Sequence, residues 1–79
     1  MKVALCQINP TVGALFDNVR KIIDVYNDAL NSNCDIIVFP ELAITGYPPQ
    51  DLLLNDKFIE ANILALNEIV KQITTPAII

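Results

Sequence analysis

Four apolar residues in a row, Ile36-Ile37-Val38-Phe39, run into Pro40, and the residue after the proline is Glu41. A run so short, with no polar alternation, predicts a strand covered on both faces, the position of a central strand in a parallel sheet. Pro40 has no N–H to lend to a ladder, so regular pairing ends there. A carboxylate is thereby left at the carboxyl end of a buried strand.

The rest of the chain supplies that sheet in the order β-α-β-α-β. Lys2 to Ile8 is a first strand, continuously apolar from Val3 to Cys6 and closed by Asn9-Pro10, and it too reads as buried on both faces. Thr11-Val12-Gly13 is a loop. From about Asp17 to Asn31, Val19, Ile22, Ile23, Tyr26 and Leu30 recur at helical spacing opposite Arg20, Lys21, Asp24, Asn27 and Asp28, which is an amphipathic helix. Asp17 caps this helix or sits in its first turn, and Asn31-Ser32-Asn33 stops it, since these side chains compete for backbone partners.

Gly46-Tyr47-Pro48-Pro49 reads as an extended loop in which Gly46 takes a φ that other residues resist. Asp51-Leu52-Leu53-Leu54 is one helical turn or a segment that packs the loop onto the body. A second helix runs from about Asp56 to Ile73, with Asn55 as its cap and Ile59, Ile63, Leu66, Val70 and Ile73 as its stripe. Phe58 and Ile69 widen that stripe beyond what one neighbour covers. After Thr74-Thr75-Pro76, Ala77-Ile78-Ile79 opens a third strand.

Composition bears on what surrounds this unit. A chain of 79 residues that is 53% hydrophobic exceeds the usual apolar fraction of about 45–50%, and chains this short bury only about 60–65% of their unfolded surface. The chain therefore reads as a piece of a larger domain, part of its surface meant to be covered. A net charge of −4 with five scattered Lys and Arg gives no footprint for nucleic acid. No run approaches the roughly 20 apolar residues that span a bilayer, and Val3 to Cys6 is shorter than the ~7–15 residue core of a signal peptide. With the missing signal as its only support, the expected location is the cytoplasm, off the membrane, with Cys6 and Cys34 as reduced thiols. With no His and no Cys-x-x-Cys, no metal site is expected.

In an open α/β sheet, ligands bind beyond the carboxyl ends of the strands, which makes Glu41 the leading candidate for chemistry. Semi-burial there would raise its pKa toward the range of a general base. The bland alternative is a solvated loop glutamate or the cap of a helical turn. Tyr47 either lines a pocket or packs its ring on the loop. Cys34 lies at the end opposite Glu41 and reads as a small buried hydrophobe. Cys6 lies late in the first strand and could approach Glu41, though its structural reading is the stronger. Gly13 and Gly46 are the only glycines, so no dinucleotide fingerprint is present. Asp51 and Asp56 read as caps, not as an acid–base pair.

Val3-Ala4-Leu5-Cys6-Gln7-Ile8-Asn9-Pro10 with Val12-Gly13, then Asp17-Asn18 opening a helix, then Phe39-Pro40-Glu41-Leu42 with Thr45-Gly46-Tyr47-Pro48-Pro49, resembles the N-terminus of the nitrilase (carbon–nitrogen hydrolase) superfamily. Within it, Gly46-Tyr47-Pro48-Pro49 running into Asp51-Leu52-Leu53-Leu54 is similar to the glutaminase-domain subfamily of glutamine-dependent NAD+ synthetases, where a Glu commonly replaces Gln50. The resemblance implies an α/β fold, namely the β-α-β-α-β N-terminal fragment of a four-layer αββα sandwich, incomplete at its C-terminus. It implies a Glu-Lys-Cys site in which Glu41 is the general base, with Tyr47 beside the glutamine pocket. It further implies that ammonia from glutamine passes to an ATP- and Mg2+-dependent synthetase domain on the same chain, which converts nicotinic acid adenine dinucleotide to NAD+ in a homo-oligomeric enzyme.

Neither Cys6 nor Cys34 matches the family's nucleophile, and neither Lys57 nor Lys71 its lysine. The fragment is therefore expected to be inactive and to hold no cofactor of its own. Two rivals remain at this stage: a stand-alone amidase or carbamoylase of the same superfamily, and a non-catalytic α/β assembly module in which Glu41 is structural.

Overall fold

The computed structural model describes residues 1–47, 52 and 54–79. Three strands, β1 (Val3–Leu5), β2 (Ile36–Val38) and β3 (Ala77–Ile78), alternate with two helices, α1 (Leu15–Leu30) and α2 (Asp56–Gln72). The sheet order is β1-β2-β3 and both pairings are parallel. The run that ends at Pro40 is therefore the central strand, as its apolarity predicts. Ala4, Ile37 and Ala77 stand in register across the sheet and all three join the hydrophobic core.

Both helices lie over that row and pack against each other. α1 contributes Leu15, Val19, Ile22 and Tyr26, and Ile22 and Ile37 are fully buried, each worth about 1.5–3 kcal/mol of apolar burial. The opposite face of the sheet is open. Leu5 is 78% exposed and Ile78 61% exposed, Val3 is exposed as well, and Ile36 and Val38 are half-buried. Within this chain only one of the two faces expected to be covered on β1 and β2 is covered, because both helices return to the same side.

A correction concerns α2. Asn55 caps it as expected, its Oδ1 accepting the Phe58 N–H at 3.1 Å. The buried line, however, is Ala65 and Ile69 with Phe58, Ala61 and Ile73 against the core. Ile59, Ile63, Leu66 and Val70 are exposed, Val70 by 61%. Counting bulky side chains misplaces the stripe, since the two alanines let the helix sit close on α1 and the sheet while the larger residues turn away.

At the start of α1, Asp17 occupies the first turn rather than the cap, which is Ala14 without a side-chain bond. Asn31 ends the helix and Asn33 takes a left-handed φ of 57°, open to Asn at little cost. Tyr26 closes the core from below. Its hydroxyl accepts the N–H groups of Thr74 and Thr75, each at 2.8 Å, fastening α1 to the segment that leads into β3. Burial pushes the phenol pKa up, but these donors favour the phenolate and carry it below its ordinary value. No helix among the described residues is long and apolar enough to cross a membrane.

The open sheet face and the outer stripe of α2 predict self-association of the 79-residue chain expressed by itself. Sedimentation at micromolar concentration should show species larger than a monomer that bind a hydrophobic dye. A monodisperse, dye-silent monomer would contradict this account of the two surfaces.

Candidate functional site

Glu41 follows Phe39 and Pro40 at the carboxyl end of β2. Phe39 is buried and its N–H donates to the Ile78 carbonyl at 2.8 Å, so the chain is tied to the sheet up to the residue before the proline. Glu41 itself is exposed, not half-buried as expected; it lies beyond the end of the sheet, where neither helix covers it.

Immediately after it the backbone turns sharply. Leu42 adopts φ 55°, a left-handed conformation costing an L-residue of its type about 1–2 kcal/mol. Such a conformation persists only where the surroundings over-determine it, and these sites cluster around function. Here the restraints are visible. The Gly46 N–H donates to the Leu42 carbonyl at 2.8 Å, and the Gly13 N–H donates to the Thr45 carbonyl at 2.9 Å. The buried Thr45 hydroxyl donates to the Gly46 carbonyl at 3.1 Å, and Ala43 is buried beneath the turn.

Gly46 does what the sequence asks of it. Its φ is +80°, and a Cβ there would lie 2.6 Å from the Val12 Cα, so the turn after Glu41 and the loop after β1 touch backbone to backbone. The loop after β1 is held in turn by Lys21, whose Nζ donates to the Asn9 carbonyl at 2.8 Å and to the Thr11 hydroxyl at 3.3 Å.

Asn18 joins the two loops from within. It is fully buried, accepts the Thr11 N–H at 2.8 Å, and donates to the carbonyls of Thr11 at 2.8 Å and Ile44 at 2.7 Å. Sequence reasoning placed Asn18 at the opening of the helix without giving it a task. The signal was available: it stands four residues before Ile22 on the buried stripe of α1, and a polar side chain on such a stripe needs a full set of partners.

Tyr47 is 71% exposed, so its ring packs into no core; it stands on the solvent side of the same turn. Pro48, Pro49, Gln50, Asp51 and Leu53 lie outside the described residues, and with them most of the expected turn at Asp51-Leu54. A cleft of about 230 Å3 opens between the Glu41 turn and α2, lined by Leu42, Ile44, Thr45, Asn62, Leu66 and Ile79 among others. The Asn62 Oδ1 is buried and accepts no bond from the described residues.

Cys6 is buried at the end of β1, and Cys6 and Cys34 are both free thiols. Burial, with a smaller contribution from Cys34, raises the Cys6 pKa, the reverse of what a nucleophile needs. Among the described residues no cluster of His, Cys, Asp or Glu is able to hold a metal.

The sequence pattern of the carbon-nitrogen hydrolase family matches residues 2–77. Over 58 residues the chain is 48% identical to the glutamine-dependent NAD(+) synthetase of Synechocystis, covering 73% of this chain and 10% of that protein. The enzyme of the same description from Thermotoga maritima is 42% identical over 62 residues, 78% of this chain and 11% of that one. Among solved structures, a glutamine-dependent NAD(+) synthetase from Cytophaga hutchinsonii superposes with a TM-score of 0.82 at 36% identity, over 87% of this chain and 12% of that one. One from Acinetobacter baumannii, in complex with ADP, superposes with a TM-score of 0.71 at 40% identity over 85% of this chain. The chain thus spans about a tenth of the length of these relatives. The fold is the β-α-β-α-β opening of the αββα sandwich expected from the resemblance.

Because its raised pKa keeps Cys6 protonated at neutral pH, the thiol should react with iodoacetamide more slowly than free cysteine at pH 7–8, accelerating only as pH rises past the ordinary thiol value of 9.0. Peptide mapping after timed alkylation measures this; rapid modification of Cys6 at neutral pH would return it to the list of candidate nucleophiles.

Proposed function

Since the chain belongs to the carbon–nitrogen hydrolase family, we propose that it is the N-terminal portion of a domain that hydrolyses the side-chain amide of glutamine, with Glu41 as general base. The observation that carries this reading is the place of Glu41: a carboxylate at the carboxyl end of the central parallel strand, on a turn that its neighbours restrain from several sides. Rigid support of this kind is what a base requires to meet its proton in a fixed geometry.

In the proposed reaction the Glu41 carboxylate takes the proton of a cysteine thiol, and the thiolate attacks the amide carbon. A lysine steadies the oxyanion. Glu41 returns the proton to the leaving nitrogen, and ammonia departs. Water, deprotonated by the same carboxylate, then cleaves the thioester to glutamate. The cysteine and lysine would come from outside these residues, as the family resemblance implies: Cys6 is buried with a raised pKa, and Cys34, Lys57 and Lys71 do not match the motifs of that resemblance. The segment that brings them would also cover the open sheet face and exclude water from Glu41, strengthening each electrostatic step. Tyr47, exposed beside the turn, would then wall the glutamine pocket.

The ammonia would pass to a synthetase domain on the same chain, in a cytoplasmic, homo-oligomeric ligase that forms NAD+ from nicotinic acid adenine dinucleotide with ATP and Mg2+. The residues described here do not fit an ATP–Mg2+ site: they offer no acidic cluster, and both glycines serve tight turns. No step through those groups is derived.

In the full-length protein, Glu41→Gln should lower kcat for ammonia release from glutamine by at least about 1,000-fold, the loss expected when a proton-transfer group is removed from a unit that acts together. The 79-residue chain alone should release none. A Glu41→Gln enzyme of normal fold with its rate within a few-fold of the parent would make Glu41 structural and sink the proposal.

A further inference from the structure

A primary amide buried to 0% exposure is costly unless its donors and acceptor are matched. Asn18 meets that requirement with three bonds, and their distribution is informative. Two close on Thr11, in the loop after β1; the third, at 2.7 Å, reaches the Ile44 carbonyl. Ile44 is not a neighbour in sequence or in secondary structure. It is the middle of the turn that begins at Glu41 with the left-handed Leu42.

The surrounding contacts show which way the restraint runs. Asn18 is rooted on the buried face of α1, one helical turn before Ile22, so its side chain is the fixed partner and the turn is the held one. Gly46 abuts Val12 backbone to backbone, and Gly13 binds the Thr45 carbonyl. Asn18 completes this set by holding the carbonyl between the strained Leu42 and the abutting Gly46. Release of the Ile44 carbonyl would leave Leu42 to relax toward an ordinary φ, and a change of φ one residue after Glu41 re-aims its carboxylate.

We propose that Asn18 is a positioning residue for Glu41: through the Ile44 carbonyl it fixes the turn that aims the base. This rests on the reading of Glu41 as the general base. Asn18 does not touch the substrate, and its role is exercised entirely through the carboxylate.

The test is glutamine hydrolysis by the full-length protein carrying Asn18→Asp. That change keeps size and the acceptor for Thr11 but replaces both N–H donors by an oxygen facing two carbonyls. A displacement of about 1 Å at the base predicts a fall in kcat of about 100-fold. KM should stay within about threefold, because binding is not what is lost.

The same substitution is made in a Glu41→Asp background, where the carboxylate is already withdrawn by one methylene. Acting through Glu41, it should cost less than about 10-fold there, the non-additivity of coupled groups. An equal loss in both backgrounds, or a kcat within about threefold of the parent, overturns the proposal. If the Asp variant does not fold, Asn18→Ser, with room for a water between its hydroxyl and Ile44, carries the same comparison. Glu41→Gln alone separates the two readings. Full activity there removes the base and its positioning residue together, whereas a dead Glu41→Gln beside an unaffected Asn18→Asp removes only the second.

Discussion

Two consecutive parallel strands need a helix to carry the chain back between them, and in this chain both such helices return to the face that holds Ala4, Ile37 and Ala77. Everything else in the structure depends on that one-sided coverage. It concentrates the buried side chains in a single layer, leaves Leu5 and Ile78 on the other, and puts the loops after β1 and β2 side by side at the carboxyl edge. Because the strands are parallel, these loops leave the sheet at the same end, and their proximity allows Gly13 and Gly46 to interlock with Thr45 and Val12.

The sequence announced the element order, the central place of β2, the Asn55 cap and the special backbone at Gly46, because each follows from local rules: apolar run length, helical period, side-chain competition and the absence of a Cβ. What it did not announce depends on tertiary arrangement. Runs such as Val3 to Leu5 look the same whether the second face is buried by this chain or left open, and the α2 pattern contains two plausible stripes, of which packing against α1 chose the one with alanines. Glu41 was conspicuous from Pro40 alone. The left-handed Leu42 was not, since leucine gives no hint of such a φ; it is imposed by bonds from residues distant in sequence.

The candidate site thus divides into a part that is written locally and a part that is assembled. A strand end and a proline place the carboxylate, while loop-to-loop contacts hold the turn that follows it. The carbon-nitrogen hydrolase pattern, which matches residues 2–77, spans both parts, the Pro-Glu-Leu segment and the loop that braces it. In such an arrangement the setting of the carboxylate is shared between the strand end and the loops beside it, so exchanging Glu41 alone into another parallel sheet would not reproduce it.

The Tyr26 hydroxyl, bonded to Thr74 and Thr75, has a consequence for how the molecule comes together. It joins positions separated by 48 and 49 residues, a long loop whose closure entropy must be met before the bonds form. β3 follows directly on that junction and pairs with β2. The strand that covers this edge of β2 is thus tied to the first helix at its entry as well as to its neighbour in the sheet. A phenol in the first helix therefore shares in closing that edge of β2 to a foreign strand.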